Sequence, residues 1–198
     1  MKNLKSAVIS LSVLFCVCAN ASLIGGIGAY TGTTTFNLSN GTSNLNVDVE
    51  YAVYAPGQYT GNDISGGSDY IYAYQIFSKS PASNVAVDFF SVGILIGSGI
   101  NAVGTDATFG TLGGVNPLAF NFPQSAGYMF IYSALQPGQY STVLLFSSDY
   151  SPTMGFGTVS GGGLGGMGIL PTPSLIPEPA TIALLVPAII ALRNKRKK

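Results

Sequence analysis

The sequence predicts an all-β protein, built as a single antiparallel β-sandwich of immunoglobulin-like or jelly-roll-like type. Three observations support this prediction: apolar and polar residues alternate along several segments, turn-forming dipeptides separate these segments, and only 8% of the residues are charged. A repeat of two residues lines one face of a strand, whereas an amphipathic helix needs a repeat of 3.6. We expect eight to ten strands, flanked by an N-terminal signal helix and a short C-terminal transmembrane helix.

The first predicted strands differ in how deeply we expect them to be buried. Residues 28–38 are predicted to lie at a sheet edge. In 45–53, apolar side chains alternate with two carboxylates, which predicts one buried and one solvated face. The segment 70–77 carries three tyrosines in phase and is largely apolar on both faces, so we place it in the centre of a sheet.

The later predicted strands are less regular. Residues 85–96 alternate until two consecutive phenylalanines shift the phase, which indicates a β-bulge. Strands follow at 129–132 and 142–146, and residues 154–159 are predicted to form a second edge strand. The turn signals between these segments are Asn40-Gly41, Pro56-Gly57, Gly66-Gly67, Gly113-Gly114 and Pro137-Gly138.

The composition excludes several classes of function. The 198 residues include 8 basic residues, 8 acidic residues and no histidine, so the chain lacks both a basic surface for phosphates and a histidine ligand or base. Both cysteines, Cys16 and Cys18, lie in the N-terminal apolar run, which leaves the rest of the chain without thiols. We therefore expect no nucleic-acid partner, no cofactor, no metal site and no catalytic residue.

The N-terminus has the three parts of a secretory signal peptide. Two lysines precede an apolar run at 7–18, and Ala19 and Ala21 form an A-x-A cleavage site. We expect export through the Sec translocon with cleavage after Ala21, so that residues 1–21 are the signal peptide.

An acidic body and a stretch rich in glycine and proline lie between the two ends. Residues 22–175 contain one lysine, Lys79, against seven acidic residues. The sandwich domain is predicted over 22–159. Residues 160–175 are predicted to be a linker, because glycine-rich chains behave as flexible coils and proline-rich chains are stiffer and more extended. Such a linker would hold the body clear of lipid headgroups.

The C-terminus carries a second signal over residues 176–198. Pro177, Glu178 and Pro179 precede an apolar run at 180–192, which would span about 20 Å as a helix. A basic tail at 193–198 completes the segment with Arg193, Lys195, Arg196, Lys197 and Lys198. Basic residues stay on the cytoplasmic side of a membrane, which predicts that the body lies outside. A plain C-terminal membrane anchor is the alternative interpretation.

This order of parts resembles the PEP-CTERM sorting signal of Gram-negative bacteria. In that family, the signal is taken to be recognised and cut by exosortase, a membrane cysteine protease, and the hosts typically make extracellular polysaccharide and biofilm. Residues 72–77, followed by 84–89, also resemble the bodies of other PEP-CTERM proteins. The resemblance implies transient anchoring in the inner membrane, cleavage near Pro177-Glu178-Pro179 and a destination at the cell surface or in the extracellular matrix.

The sequence therefore predicts a secreted, non-enzymatic protein that associates with the cell surface, extracellular polysaccharide or biofilm matrix. A carbohydrate-binding module is the alternative, because Tyr70, Tyr72 and Tyr74 could stack on sugars instead of packing in a core. A third candidate is a glycoside hydrolase that uses Asp48 and Glu50 as its paired carboxylates.

Two further groups of polar residues have both a chemical and a structural interpretation. Lys79 stands between Ser78 and Ser80 and could form a Ser–Lys dyad, although a solvated turn before Pro81 is the interpretation that we favour. The loop 57–69 is rich in oxygen-bearing side chains that could bind calcium. It lacks the EF-hand pattern, so we favour an ordinary polar loop.

Overall fold

The computed structural model describes four parts of the chain, which are residues 23, 25–93, 99–122 and 125–174. The predicted signal peptide, 1–21, and the predicted sorting segment, 176–198, lie outside the described residues together with their expected helices. Within the described parts, ten β-strands and one short 3-10 helix, Gly28–Tyr30, make up the regular structure. The body is therefore all-β, as the sequence predicts.

The strands are numbered in chain order. They are β1 (Thr31–Ser39), β2 (Asn44–Tyr54), β3 (Tyr70–Ser78), β4 (Phe89–Gly93), β5 (Ala102–Asp106), β6 (Leu118–Phe122), β7 (Ser125–Met129), β8 (Val143–Ser148), β9 (Pro152–Gly161) and β10 (Leu164–Pro173).

These strands form two antiparallel sheets of five strands each. The first sheet has the order β1-β2-β3-β8-β5, and the second has the order β10-β9-β4-β7-β6. Side chains from both sheets pack into one core, in which the Tyr74 ring of the first sheet lies 5.6 Å from the Phe90 ring of the second. The Tyr128 hydroxyl of the second sheet donates a hydrogen bond of 2.6 Å to the backbone oxygen of Leu145 in the first. Two sheets that share a core are consistent with a β-sandwich.

The strands with the clearest alternation lie where the sequence predicts them. β3 occupies the centre of the first sheet, and β1 lies at its edge. In β2, Val47 and Val49 are fully buried, whereas Asp48 and Glu50 are half-buried on the opposite face. β8 covers most of the strand predicted at 142–146.

The prediction is wrong where strands are short or contain glycine. β5 and β6 are not predicted at all. The strand expected over 85–96 is reduced to β4 in the described residues, with Val87 forming an isolated bridge to Leu135. The strand expected at 129–132 lies instead at 125–129. This strand, β7, contains a buried glycine, whose backbone is covered by a phenylalanine ring of β6, so its core contribution cannot be read from apolar alternation.

The linker predicted over 160–175 is wrong for the part that the structure describes. β9 and β10 pair in continuous register from Pro152 opposite Pro173 to Gly161 opposite Leu164. The turn between them is Gly162-Gly163, and both residues have positive φ, as a type I′ hairpin turn requires. β10 is therefore the edge strand, and β9, which the sequence predicts at the edge, lies between β10 and β4. The edge position also tolerates the prolines of β10, which lack an N–H group to donate.

The glycines of β10 have a packing role rather than a coil-forming one. A side chain on Gly168 would come within 2.6 Å of the Phe36 ring of β1, and a side chain on Gly166 would overlap Leu38 of the same strand. The absence of side chains at these positions lets β1 and β10 approach each other across the sandwich. Glycine content alone predicts a coil, because this long-range packing partner is invisible in the local sequence.

Candidate functional site

The residues predicted to direct export and sorting all lie outside the described residues. They comprise the signal-cleavage pair, the processing motif and the basic tail: Ala19, Ala21, Pro177, Glu178, Pro179, Arg193, Lys195, Arg196, Lys197 and Lys198. Their roles remain predictions from sequence.

The in-phase tyrosines of β3 pack in the core. Tyr72 and Tyr74 are fully buried, and Tyr70 is half-buried beside them. The Tyr72 hydroxyl donates to the backbone oxygen of Tyr150 at 2.9 Å, and the Tyr74 hydroxyl donates to that of Pro171. Burial raises the pKa of both phenols. The interpretation of these rings as a sugar-stacking platform is therefore wrong for Tyr72 and Tyr74.

The two carboxylates of β2 share a strand face but differ in their surroundings. Asp48 accepts a hydrogen bond of 2.6 Å from the Thr35 hydroxyl and forms an ion pair of 2.7 Å with the Lys79 ammonium group. Burial raises the pKa of Glu50, and the neighbouring Asp48 charge raises it further. A carboxyl group with a raised pKa is what a glycosidase uses as its general acid.

The space beside Glu50 does not match that chemistry. A cavity of about 70 Å³ lies between β1 and β2 next to this side chain. Ligand pockets usually measure at least about 300 Å³, so this cavity is too small to receive a sugar ring and orient it between two carboxyl groups. The pair therefore fits better as part of a polar strand face.

Hydrogen bonds and an ion pair define the surroundings of Lys79 and of the loop 57–69. Lys79 lies between the end of β3 and the turn at 80–82, as expected, and its ammonium group contacts Asp48. In the loop 57–69, Asp63 accepts hydrogen bonds of 2.8 Å from the backbone and hydroxyl of Ser65. In the described parts of the chain, no three acidic, cysteine or histidine side chains converge as metal ligands.

Asp106 is a buried carboxylate that the sequence analysis does not single out. Its side chain accepts four hydrogen bonds at 2.6–2.9 Å, from the Tyr59 and Thr108 hydroxyls and from the backbone nitrogens of Asn62 and Thr108. Burial raises the pKa of Asp106, but these hydrogen bonds outweigh burial and hold the pKa below its ordinary value. The local Asp-Ala-Thr pattern at 106–108, typical of an Asx turn, is the one sequence signal that indicates part of this arrangement.

Gln75 is the second buried polar residue that the sequence analysis overlooks. Its amide nitrogen donates to the backbone oxygens of Thr111 and Ser141, both at 2.8 Å. Its amide oxygen accepts from the Thr111 backbone nitrogen at 2.9 Å. These bonds hold the loop 107–114 against the outer face of the first sheet.

An apolar cluster beneath the loops 57–69 and 107–114 covers part of the outer face of the first sheet. The Phe109 ring lies 4.9 Å from Tyr59 and 6.0 Å from Tyr54, and the three rings close over the outward side chains of β3 and β8. Burial raises the pKa of Tyr54 to about 12. The first sheet is thus covered at this end and carries polar side chains at the other.

A groove lined mainly by polar side chains lies beside the β1–β2 hairpin. Its volume is about 180 Å³, and its lining consists mainly of amide, hydroxyl and small side chains, from Asn37, Leu38, Ser39, Asn44, Leu45, Asn46 and Ala82. The side-chain oxygen of Asn46 is buried and has no hydrogen-bond partner among the described residues. The Asn46 side-chain nitrogen donates to the Asn37 side-chain oxygen, whereas Asn37 and Asn44 are exposed, and exposed amides can bond to sugar hydroxyls.

The outer face of the second sheet has the opposite character. Five large apolar side chains on it are between 43% and 68% exposed: Leu118, Met154, Phe156, Met167 and Ile169. We call these five residues the apolar face. Phe156 and Ile169 lie directly opposite each other on β9 and β10. This surface is not predictable from local sequence, because β10, half of the β9–β10 hairpin, has the glycine- and proline-rich composition of a linker.

No known family model, curated protein or solved structure matches the chain. The described residues include no helix with the length and apolar character needed to cross a bilayer. Functional inference therefore depends on the sequence signals and on the surfaces described above.

Proposed function

We propose that this protein is an exported, non-enzymatic component of the cell surface or extracellular matrix, sorted through a PEP-CTERM-type signal at residues 176–198. The observation that carries the proposal is the order of parts along the sequence. An A-x-A site, a thiol-free body, the motif Pro177-Glu178-Pro179, an apolar run and a basic tail follow one another. An exosortase-type protease is the partner that this order implies, together with the Sec translocon and, at the destination, extracellular polysaccharide.

The limits of the folded body support this proposal. Leu23, two residues after the proposed signal-cleavage site, is 1% exposed and packs in the cluster beneath the loops. At the other end, β10 ends at Pro173, four residues before Pro177. Both proposed cuts would therefore fall just outside the folded body and leave its packing intact.

The use of carboxylates within the body supports a non-enzymatic role. Asp48 bonds to Thr35 and Lys79, Asp63 caps its own turn, and Asp106 is saturated by four donors. Asp69 accepts a hydrogen bond of 2.8 Å from Asn101. Bonds of this kind order loops and strand ends, which is a structural use of acidic residues.

Within the β-sandwich class, we favour the jelly-roll-like arrangement over the immunoglobulin-like one. β3 pairs with β8 in the first sheet, while β4 pairs with β7 in the second. β5 and β6 then extend β8 and β7, respectively. Nested pairing of this kind, with the chain passing between sheets from β3 to β4 and from β7 to β8, is typical of jelly rolls.

The experiment that tests the proposal is mass spectrometry of the mature protein from a host that encodes an exosortase. We expect an N-terminus at Ser22 and a C-terminus near Pro177-Glu178-Pro179. Replacing the motif by three alanines should block C-terminal cleavage, whereas the Asp149→Asn control, an exposed acidic residue outside the motif, should be processed normally. Extracellular protein that still ends in Lys198 would contradict the proposal.

A carbohydrate-binding module is the second candidate, because of the amide-lined groove beside β1 and β2. At about 180 Å³ the groove is smaller than a pocket that encloses a ligand, so it would contact one edge of a sugar rather than surround it. If the groove binds sugar, Asn44→Ala, which removes an exposed amide of the lining, should reduce retention of the protein on the host's extracellular polysaccharide. Asn62→Ala, at an exposed position outside the groove lining, is the matched control, since alanine keeps the Asn62 backbone N–H group that bonds to Asp106. Equal retention of both variants would eliminate groove binding and leave the matrix role without a sugar site there.

A further inference from the structure

The second sheet is uncharged along all its strands. β10, β9, β4, β7 and β6 contain no Asp, Glu, Lys or Arg, whereas the first sheet carries Asp48, Glu50 and Asp106. The acidic residue closest in sequence to the second sheet is Asp88, directly before β4. Its carboxylate accepts a hydrogen bond from Gly162 at the turn of the β9–β10 hairpin. The apolar face is therefore free of the charges that normally keep an exposed sheet soluble.

The apolar face lies close to the point where the chain leaves the folded body. Ile169 precedes Pro173 by four residues, which is about 13 Å along a strand. Six residues separate Pro173 from the apolar run that begins at Ala180. Even fully extended, six residues reach only about 20 Å. Because the expected linker is largely strand β10, no long spacer remains between the body and that run.

We propose that, while residues 180–192 hold the uncleaved chain in the inner membrane, the apolar face rests on the outer lipid surface of that membrane. The inference rests on the function proposed above and adds the orientation of the tethered body. Transfer of phenylalanine, methionine and isoleucine side chains from water to the boundary between headgroups and acyl chains is favourable. The acidic first sheet then faces away from the anionic lipids, which avoids like-charge repulsion.

The tether favours lipid over a second copy of the chain as the occupant. A membrane held within about 20 Å of the end of β10 is present at a high and fixed effective concentration, whereas a second copy must be met by diffusion. Docking on the membrane would also bring Pro177-Glu178-Pro179 to the membrane surface, where a membrane protease can reach it. Cleavage would separate the body from its membrane tether, and the body would then no longer be held in one orientation.

The natural sequence contains no tryptophan, so a single introduced indole reports on one site. Phe156→Trp places the reporter on the apolar face at a position that is 60% exposed, and Leu112→Trp places it on the first-sheet side at a position that is 61% exposed. Ile169→Trp provides a second reporter on the apolar face if Phe156→Trp fails to fold. The full chain is reconstituted in vesicles of phosphatidylethanolamine and phosphatidylglycerol, with and without brominated acyl chains.

With lipid as the occupant, the Phe156→Trp emission shifts to the blue and loses most of its intensity in brominated vesicles, while the Leu112→Trp emission does neither. If both variants float with the vesicles but neither is quenched, the chain is anchored without docking, and this inference fails while the proposed function stands. If neither variant floats with the vesicles, the membrane tether itself is wrong. A blue shift without bromine quenching, accompanied by cross-linked dimers, would identify a second copy as the occupant and overturn the inference.

Discussion

The outer faces of the two sheets have opposite chemistry, although both belong to one sandwich. On the first sheet, loops and three aromatic rings cover one end, and the other end carries hydrogen-bonded carboxylates and amides. On the second sheet, the five residues of the apolar face are exposed and no loop among the described residues covers them. Burial on the first face stabilises the fold, whereas exposure on the second contributes little to stability. The second face is therefore better explained by an interaction than by folding.

The largest expected difference between the two faces is in stability. Tyr54→Ala removes a buried ring beneath the loops and should lower the free energy of unfolding by about 3–5 kcal/mol. Phe156→Ala removes a ring that is 60% exposed, so its cost should stay below about 1 kcal/mol. Denaturant unfolding measures both values. Similar losses for the two variants would show that the second face is covered in the free protein.

Loss of the hydrogen bonds that hold the loop 107–114 should have the next largest effect on the free energy of unfolding. Gln75→Leu removes the three hydrogen bonds that this side chain makes to backbone groups of Thr111 and Ser141, and the expected loss is about 3 kcal/mol. Gln136→Leu, at an exposed position, is the control and should change stability by less than about 0.5 kcal/mol. If Gln75→Leu unfolds like the control, the loop is held by other contacts.

Asp106 should make the stability of the first-sheet side depend on pH. Because its folded pKa lies below the ordinary value of 3.8, the carboxylate stabilises the fold above that pH, and this contribution is lost as pH falls through the folded pKa. Asp106→Asn should cost about 2 kcal/mol at neutral pH. The difference in unfolding free energy between Asp106→Asn and the natural protein should shrink as the pH is lowered. A gap that stays constant with pH would mean that packing, rather than charge, accounts for the loss.

Glu50 should have a smaller effect on stability, with the opposite dependence on pH. Its raised folded pKa means that its ionisation opposes folding, so stability falls as pH rises through the folded pKa. Glu50→Gln removes this cost and should raise stability at neutral pH by less than about 1 kcal/mol, because the group is partly solvated. The gain should vanish below the ordinary pKa of 4.5. Destabilisation by Glu50→Gln at neutral pH would contradict this assignment.

The sequence predicts the elements whose signal is local. Apolar alternation places β2 and β3 correctly, and the in-phase tyrosines of β3 indicate its central, buried position. The role of Gly166 and Gly168 is not predictable in the same way, because it depends on Phe36 and Leu38, more than a hundred positions away in the chain. Without that partner strand, a glycine-rich segment has the composition of a coil.

The same physical limit applies to the candidate sites. Asp48 and Glu50 share a strand, so their common face follows from the repeat of two residues. Asp106 draws its donors from Tyr59 and Asn62, which lie more than forty residues earlier, and no periodicity connects them. The apolar face can be predicted only if β9 and β10 are recognised as a hairpin, and the composition of β10 conceals that hairpin.

Hydrogen exchange of the full-length chain tests most directly whether the folded body extends to Pro173. Peptides from 152–173 should be protected to a degree that approaches β3, because β9 is bonded on both sides and β10 closes the sheet. A peptide covering the exposed loop 131–134 serves as the rapidly exchanging reference. If 164–173 exchanges as fast as that loop, this segment is a flexible spacer. That result would contradict the close approach of the body to the membrane.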